Sequence, residues 1–280
     1  MEVRELKDVS YGPYERNVLD AYLAGTKENP APVLVFFHGG GYVGGDKSAV
    51  LEMPLMRECL NAGISVISCN YRFITQDPYP APMLDGTRAL QFVRCMAEEW
   101  GIDPNRVVSS GVSAGGHIAL WNALNGDRSR PDSPDPVERM SSAVSGFVGF
   151  GTQVSKDQRF YEGIYEGPHI QPNIALFYGI SSPDDLYKPD TLKLAEEASA
   201  INYVSPAAPP VFMVYDYKLD LETLKIPADA DVNEVIHHPM HGYILKQKYD
   251  ALGLKMVLRH SGDPVRPGEI LQFLTECFGR

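Results

Sequence analysis

Short apolar runs, separated by stretches with three- and four-residue apolar spacing, organise the first half of the chain. Val33 to Phe37 is apolar throughout and ends in glycines, and Ile64 to Cys69 is a second such run. Between them, Leu51 to Asn61 has helical spacing. Residues 84–98 (LDGTRALQFVRCMAE) repeat apolar positions at three and four and read as an amphipathic helix. Val107 and Val108 end a short strand, and residues 114–125 follow as a helix. Strand and helix signals that alternate in this way predict an α/β fold with a mostly parallel sheet. Runs that are apolar at every position suit a sheet covered on both faces.

The second half is less regular. Residues 126–137 (GDRSRPDSPDPV) are loop, and Ala143 to Phe150 reads as the next strand. Residues 151–205 carry many aromatics and prolines and are too long for an ordinary connection. They read as an insertion, a lid or pocket wall. The pattern then resumes with a strand at Val211 to Tyr215, a helix from Pro239 to Leu252, a strand from Lys255 to His260 and a helix from Gly268 to Cys277. The expectation is one domain over residues 1–280 with the insertion at 151–205.

Composition narrows the function. The chain of 280 residues is 44% apolar, enough for a substantial core, and no run approaches the length of a bilayer span. The N-terminus has charges of both signs and no apolar segment of the kind a secretory leader carries. A net charge of −11 disfavours a nucleic-acid surface, which needs clustered Lys and Arg. Cys59, Cys69, Cys95 and Cys277 lack metal spacing; Cys69 and Cys95 read as reduced core residues, and the cytoplasm is the expected location. No metal, organic cofactor, membrane or nucleic-acid partner is expected, and oligomeric state is open.

Two motifs carry chemistry. Gly111-Val112-Ser113-Ala114-Gly115-Gly116 follows a β-branched run and precedes a helix, the setting a G-x-S-x-G elbow requires. A chain turning sharply from strand to helix strains the serine backbone, and small residues two before and two after it relieve crowding. Ser113 Oγ is then exposed above a helix N-terminus, with the Ala114 N–H aimed where an oxyanion would form. His38-Gly39-Gly40-Gly41-Tyr42 directly follows the Val33–Phe37 strand; its glycines let backbone N–H groups approach a ligand closely.

In these residues the chain resembles the α/β-hydrolases of the hormone-sensitive-lipase-like and feruloyl-esterase-like groups. The matching stretches are HGGGYVGGDKS (38–48), CNYRF (69–73), the helix around Asp85, GIDPNRVVSSGVSAGGHIAL (101–120) and PPVFMVY (209–215). The resemblance is close over residues 30–125 and thins until about residue 205. It implies an α/β-hydrolase fold, Ser113 as nucleophile, Gly40, Gly41 and Ala114 as oxyanion donors, and His38 as a residue that orients the glycine loop.

A triad also needs an acid and a histidine, in the order Ser, acid, His. The resemblance puts the acid after the strand at 211–215, where Asp216, Asp220, Asp229, Asp231 and Glu234 are candidates. Glu234 is favoured by its distance from the helix at Pro239, ahead of Asp220 and Asp231; Asp216 lies very near the strand end. The family histidine follows the last strand, but Ser261 to Pro267 contains none. His260, the last histidine of the chain, is the expected base. His237, His238 and His241 are read as a polar helix N-terminus rather than a metal cluster, and His117 as facing the helix interior or substrate. His169 is given no role.

The expected activity is hydrolysis of carboxylic esters with short acyl or small aromatic groups, including those on carbohydrates, through an acyl-enzyme on Ser113. Two alternatives stand beside it. One is an amidase or arylformamidase on the same chemistry. The other is a small-molecule-binding protein on a degenerate scaffold, as in the gibberellin receptors, which resemble this family and lack its histidine.

Overall fold

The apolar runs become sheet strands because both of their faces are covered. The computed structural model describes residues 3–167 and 171–279. In chain order its elements begin with β1 (Arg4–Ser10), β2 (Val18–Leu23), β3 (Ala31–Phe37), α1 (Pro54–Asn61), β4 (Ser65–Cys69), α2 (Ala81–Cys95), α3 (Ala97–Trp100), β5 (Ile102–Val112) and α4 (Ser113–Leu124). There follow β6 (Gly146–Phe150), α5 (Gln158–Ile164), α6 (Ile174–Tyr178), α7 (Pro189–Ala198), β7 (Val211–Val214), α8 (Val232–His237), α9 (Met240–Ala251), β8 (Met256–Arg259) and α10 (Glu269–Cys277). The strands form one eight-stranded sheet in the order β1-β2-β4-β3-β5-β6-β7-β8. β2 runs antiparallel to both of its neighbours, and the pairings from β4 to β8 are all parallel. This is the α/β-hydrolase architecture the sequence predicts.

Every residue of β3 and β4 is buried. One apolar layer packs α2, α4 and α9 on one face, and a second packs α1 and α10 on the other. α4 is buried from Ala114 to Leu124, which explains why it is apolar around its whole circumference. β1 is the exception to the strand pattern: it is an edge strand with mostly exposed residues, so no apolar signal marks it.

The register sets the site. Phe37 at the end of β3 pairs with Cys69 on one side and Gly111 on the other, and Gly111 pairs with Gly149. The segments that leave β3, β4, β5 and β6 therefore emerge at one edge of the sheet. The chain leaves β3 toward β4 and leaves β5 toward β6, in opposite directions. The crevice between them is a topological switch point, where open α/β sheets place their ligands.

The Cys69–Phe73 stretch braces this edge. Arg72 makes a side-chain fork to buried Asp85 of α2, with Nη2 2.7 Å from Oδ1, while its backbone N–H donates to Oδ2 at 2.8 Å. Tyr71 donates to the His38 carbonyl, and the Ile74 N–H to the Tyr42 carbonyl. The motif ties α2 to the glycine loop. Removing one partner of a buried, bidentate pair strands a charge. Asp85→Ala is expected to lower unfolding stability by about 3–5 kcal/mol in denaturant titration; a loss below about 1 kcal/mol would mean that the pair is dispensable.

Candidate active site

Ser113 is at φ +50°, in the left-handed region that non-glycine residues rarely adopt. Sterics enforce this. A Cβ at Gly115 would collide with the Phe37 and His38 carbonyls, and one at Gly111 would collide with Gly115. The elbow and the end of β3 thus press together with no room for side chains. Ser113 stays partly exposed at the N-terminus of the twelve-residue α4.

The glycine loop lies against the elbow. A Cβ at Gly39 would stand 3.7 Å from Ser113 Cβ, and Gly40 and Gly41 have φ of +114° and +59°. The Gly40 carbonyl accepts from the Val43 and Gly44 N–H groups, closing the turn. His38 holds the loop's start, as expected: its Nδ1–H donates to the Gly39 carbonyl at 2.6 Å, Arg16 donates to Nε2, and the ring stacks on Tyr71. Burial pushes its pKa down to about 4, so it is a neutral strut. His117 is a strut as well. Tyr42 donates to its Nδ1 at 2.7 Å, and its Nε2–H donates to the Ala198 carbonyl at 2.9 Å.

The imidazole at the serine is His237, not the expected His260. His237 Nε2 lies 2.8 Å from Ser113 Oγ. His260 stands at the end of β8, and its Nδ1 accepts from the Leu219 and Gly262 N–H groups at 3.4 and 3.1 Å. It latches the segment after β7 to the segment after β8. His238 is buried, and its Nδ1 accepts from the Met240 N–H. His241 is buried under Phe160, with Nε2 at the Val235 carbonyl. Among the described residues, no group of three His, Cys, Asp or Glu is placed to hold a metal. His169 lies outside the described residues.

His237 reaches the elbow because residues 216–239 make a built excursion. Ile226 pairs with Tyr165, and its N–H donates to the Ile164 carbonyl. Leu219, Ile226, Val235 and Met240 join Tyr161, Ile164 and Tyr165 in a third apolar cluster. Residues of α5 and Tyr165 thus anchor the helix that carries the imidazole. Gln153 completes the anchor, its amide donating to the Ile236 carbonyl at 2.8 Å. Gly151, at φ +54°, lets the backbone pass: a Cβ there would stand 3.1 Å from the ring's Cδ2.

Glu234 does not meet the imidazole. Asp231 caps α8 by accepting the Glu234 N–H at 2.8 Å, which makes Glu234 the third residue of a capped helix. Burial and its neighbours Asp231 and Asp229 push the Glu234 carboxyl up. Asp220 closes an exposed turn onto Glu222 and Thr223. The carboxylate among the cleft residues around this imidazole is Asp216, whose charge raises the His237 pKa. It shares a cleft of about 370 Å³ with His237, Asn233, Val112, Phe150 and Met53. Burial lowers the His237 pKa and outweighs the rest; the Asn233 carbonyl raises it, Lys156 lowers it and Asp216 raises it.

Residues of and beside α6 also pack on the glycine loop. Phe177 of α6 packs 5.2 Å from the Tyr42 ring, and Asn173 Nδ2 donates to the Gly41 carbonyl at 3.4 Å. All four cysteines are unpaired; Cys59 and Cys69 are buried, while Cys95 is only partly so. No described helix is long and apolar enough to cross a membrane.

The BD-FAE family profile matches residues 19–218. The chain belongs to the BD-FAE family. It is similar to "Probable carboxylic ester hydrolase LipM" of Mycobacterium tuberculosis, 30% identical over 218 residues, covering 74% of this chain and 46% of that one. It is also 30% identical over 224 residues to "Esterase LipQ" of the same organism, covering 76% and 49%. The chain thus spans about half the length of these relatives. Its fold matches a solved "Truncated form of carbohydrate esterase from gut microbiota" at a TM-score of 0.76 and 20% identity, over 99% of this chain and 97% of that one.

Because burial holds the imidazole below its ordinary value of about 6.5, it stays neutral to lower pH. A neutral imidazole is what draws the proton from Ser113. The rate of Ser113 labelling by a fluorophosphonate should therefore fall only as pH drops through a midpoint below 6.5. A midpoint at or above 6.5 would show that another group controls the serine.

Proposed function

We propose that the chain is a serine hydrolase of carboxylic esters, acting through an acyl-enzyme on Ser113. The observation that carries this reading is the 2.8 Å contact of His237 Nε2 with the hydroxyl of a strained, partly exposed serine. His237 accepts the Ser113 proton as Oγ attacks the ester carbonyl. The Ala114 N–H and those of Gly40 and Gly41 receive the oxyanion. The imidazolium returns its proton to the departing alcohol, and water, deprotonated by the same imidazole, releases the acid. Asp216 supplies the negative charge that favours the imidazolium in both steps. The order Ser113, Asp216, His237 keeps the sequence order of this hydrolase class.

The substrates we propose carry short acyl or small aromatic groups, including acyl groups on carbohydrate. The esterase names of the relatives and the carbohydrate esterase of similar fold support this direction. A binding protein without catalysis was suggested by the missing histidine in residues 261–267. His237 at the serine supplies the imidazole from another element and favours turnover.

Turnover of p-nitrophenyl acetate by single variants tests the assignment. Ser113→Ala and His237→Ala should each lower kcat by about 10³-fold or more, and Asp216→Asn by about 10²-fold. Glu234→Gln should stay within about threefold of the parent. Full activity in His237→Ala would end the proposal. On substrates, acetylated xylo-oligosaccharides and p-nitrophenyl acetate should be cleaved faster than p-nitrophenyl palmitate and N-formyl arylamines. A preference for the long chain or the amide would refute the short-ester reading.

A further inference from the structure

Lys156 is a buried ammonium that the reaction above does not use. It follows β6 and is 6% exposed. Its Nζ donates to Gln153 Oε1 at 3.2 Å and lies 4.9 Å from the Tyr42 ring centroid and 5.6 Å from that of Phe177. Its own backbone is pinned: the N–H donates to Ser199 Oγ, and the carbonyl accepts from Tyr178. Among the described residues no carboxylate pairs with it. The adjacent carboxylate, Asp157, is committed to Arg159. A buried, unpaired charge is expensive, and a core would ordinarily replace it with an apolar side chain.

Gln153 explains the placement. Its carbonyl oxygen takes the ammonium, and its amide holds the Ile236 carbonyl, one residue before His237. The lysine is thus joined through a single side chain to the helix that carries the imidazole. We propose that Lys156 is a positioning and charge-tuning residue for His237, holding α8 through Gln153 and keeping the imidazole in its neutral, proton-accepting form. The proposal rests on the reading of Ser113 and His237 as the reacting pair.

The electrostatic surroundings support the sign. Facing Lys156 are Tyr42 from the glycine loop, His117 from α4, Phe177 and Tyr178 from α6, His237 from α8 and His241 from α9. His237 in turn faces Ser113, the Asn233 carbonyl and Asp216. Only Asp216 in this set is an anion, and it lines the same cleft as His237. A proton added to His237 creates a second positive charge near the first, so the ammonium opposes it. Burial lowers the Lys156 pKa to about 7. The lysine is therefore charged at the acidic pH where the imidazole would begin to protonate, and it loses its charge where His237 is neutral anyway.

The test is the pH profile of kcat/KM for p-nitrophenyl acetate from pH 4.5 to 9, in the full chain and in Lys156→Met. The acid limb should move up by about half a unit to one unit in Lys156→Met, with KM changed less than about twofold. An acid limb that stays within about 0.2 unit of the parent overturns the proposal. Lys156→Gln replaces the methionine variant should circular dichroism show that variant unfolded. The same shift should appear in the His237 ring signal by NMR titration in a Ser113→Ala background. In the native sequence at position 156, a ring midpoint at or above 6.5 also overturns it. His237→Ala separates the two claims. If it retains turnover, the underlying reading fails; if it abolishes turnover and the Lys156 variants leave the acid limb in place, only the tuning role fails.

Discussion

The turn from β5 into α4 is made in a single residue, against the carbonyls that end β3. That close approach is the constraint from which the rest of the site follows. Gly111 and Gly115 are needed because a Cβ on Gly111 would strike Gly115 and one on Gly115 would strike Phe37 and His38, and Ser113, midway between them, takes a positive φ. The strain falls on Ser113 and lifts its hydroxyl clear of the sheet. Each surrounding device keeps that geometry in register: the Arg72–Asp85 fork, the Tyr71 hydroxyl on His38, and the two neutral histidines His38 and His117. Such strain persists only when many contacts over-determine it.

The activating half of the site is built differently. Ser113 and the glycine loop sit on the sheet, whereas His237 rides on a six-residue helix held from outside it. Its support is a small apolar cluster shared between residues 219–240 and Tyr161, Ile164 and Tyr165, plus one glutamine amide. Residues between β6 and β7 therefore touch the site in two ways, packing on the glycine loop through Phe177 and anchoring the helix that carries His237. Lys156 lies where these two roles meet, between the Tyr42 ring and Gln153.

The sheet's inner strands, the elbow and the glycine loop were legible because each has a local cause. Continuous apolar runs report burial on both faces, and glycines at fixed offsets report close backbone approach. β1 and β2 carry no continuous apolar run: β1 is an exposed edge, and Asp20 interrupts β2. The helix at 239–252 was placed within a residue of its ends, since spacing and a terminal Gly253 mark it. Neither His260 nor Glu234 meets the Ser113–His237 pair, for a shared reason. Their positions were inferred by counting from the family's last strand and from a helix start, and an excursion of about twenty residues breaks such counts. Glu234 attracted attention as an acid before a helix, but that spacing from Asp231 is the signature of an N-cap. Two local signals could have pointed to His237. One is Gly151 just past β6, and the other is the Asp231-to-Glu234 cap, which announces a short helix ending at the histidines.

The central claim is that the imidazole serving Ser113 comes from α8 and not from the loop after β8. A crystal structure of the phosphonylated protein tests it most directly. The account predicts His237 Nε2 within about 3 Å of the modified Ser113 oxygen or the adjacent phosphonyl oxygen, with His260 still latched to Leu219 and Gly262. A structure with His260 turned onto the serine and His237 displaced from it would contradict the account.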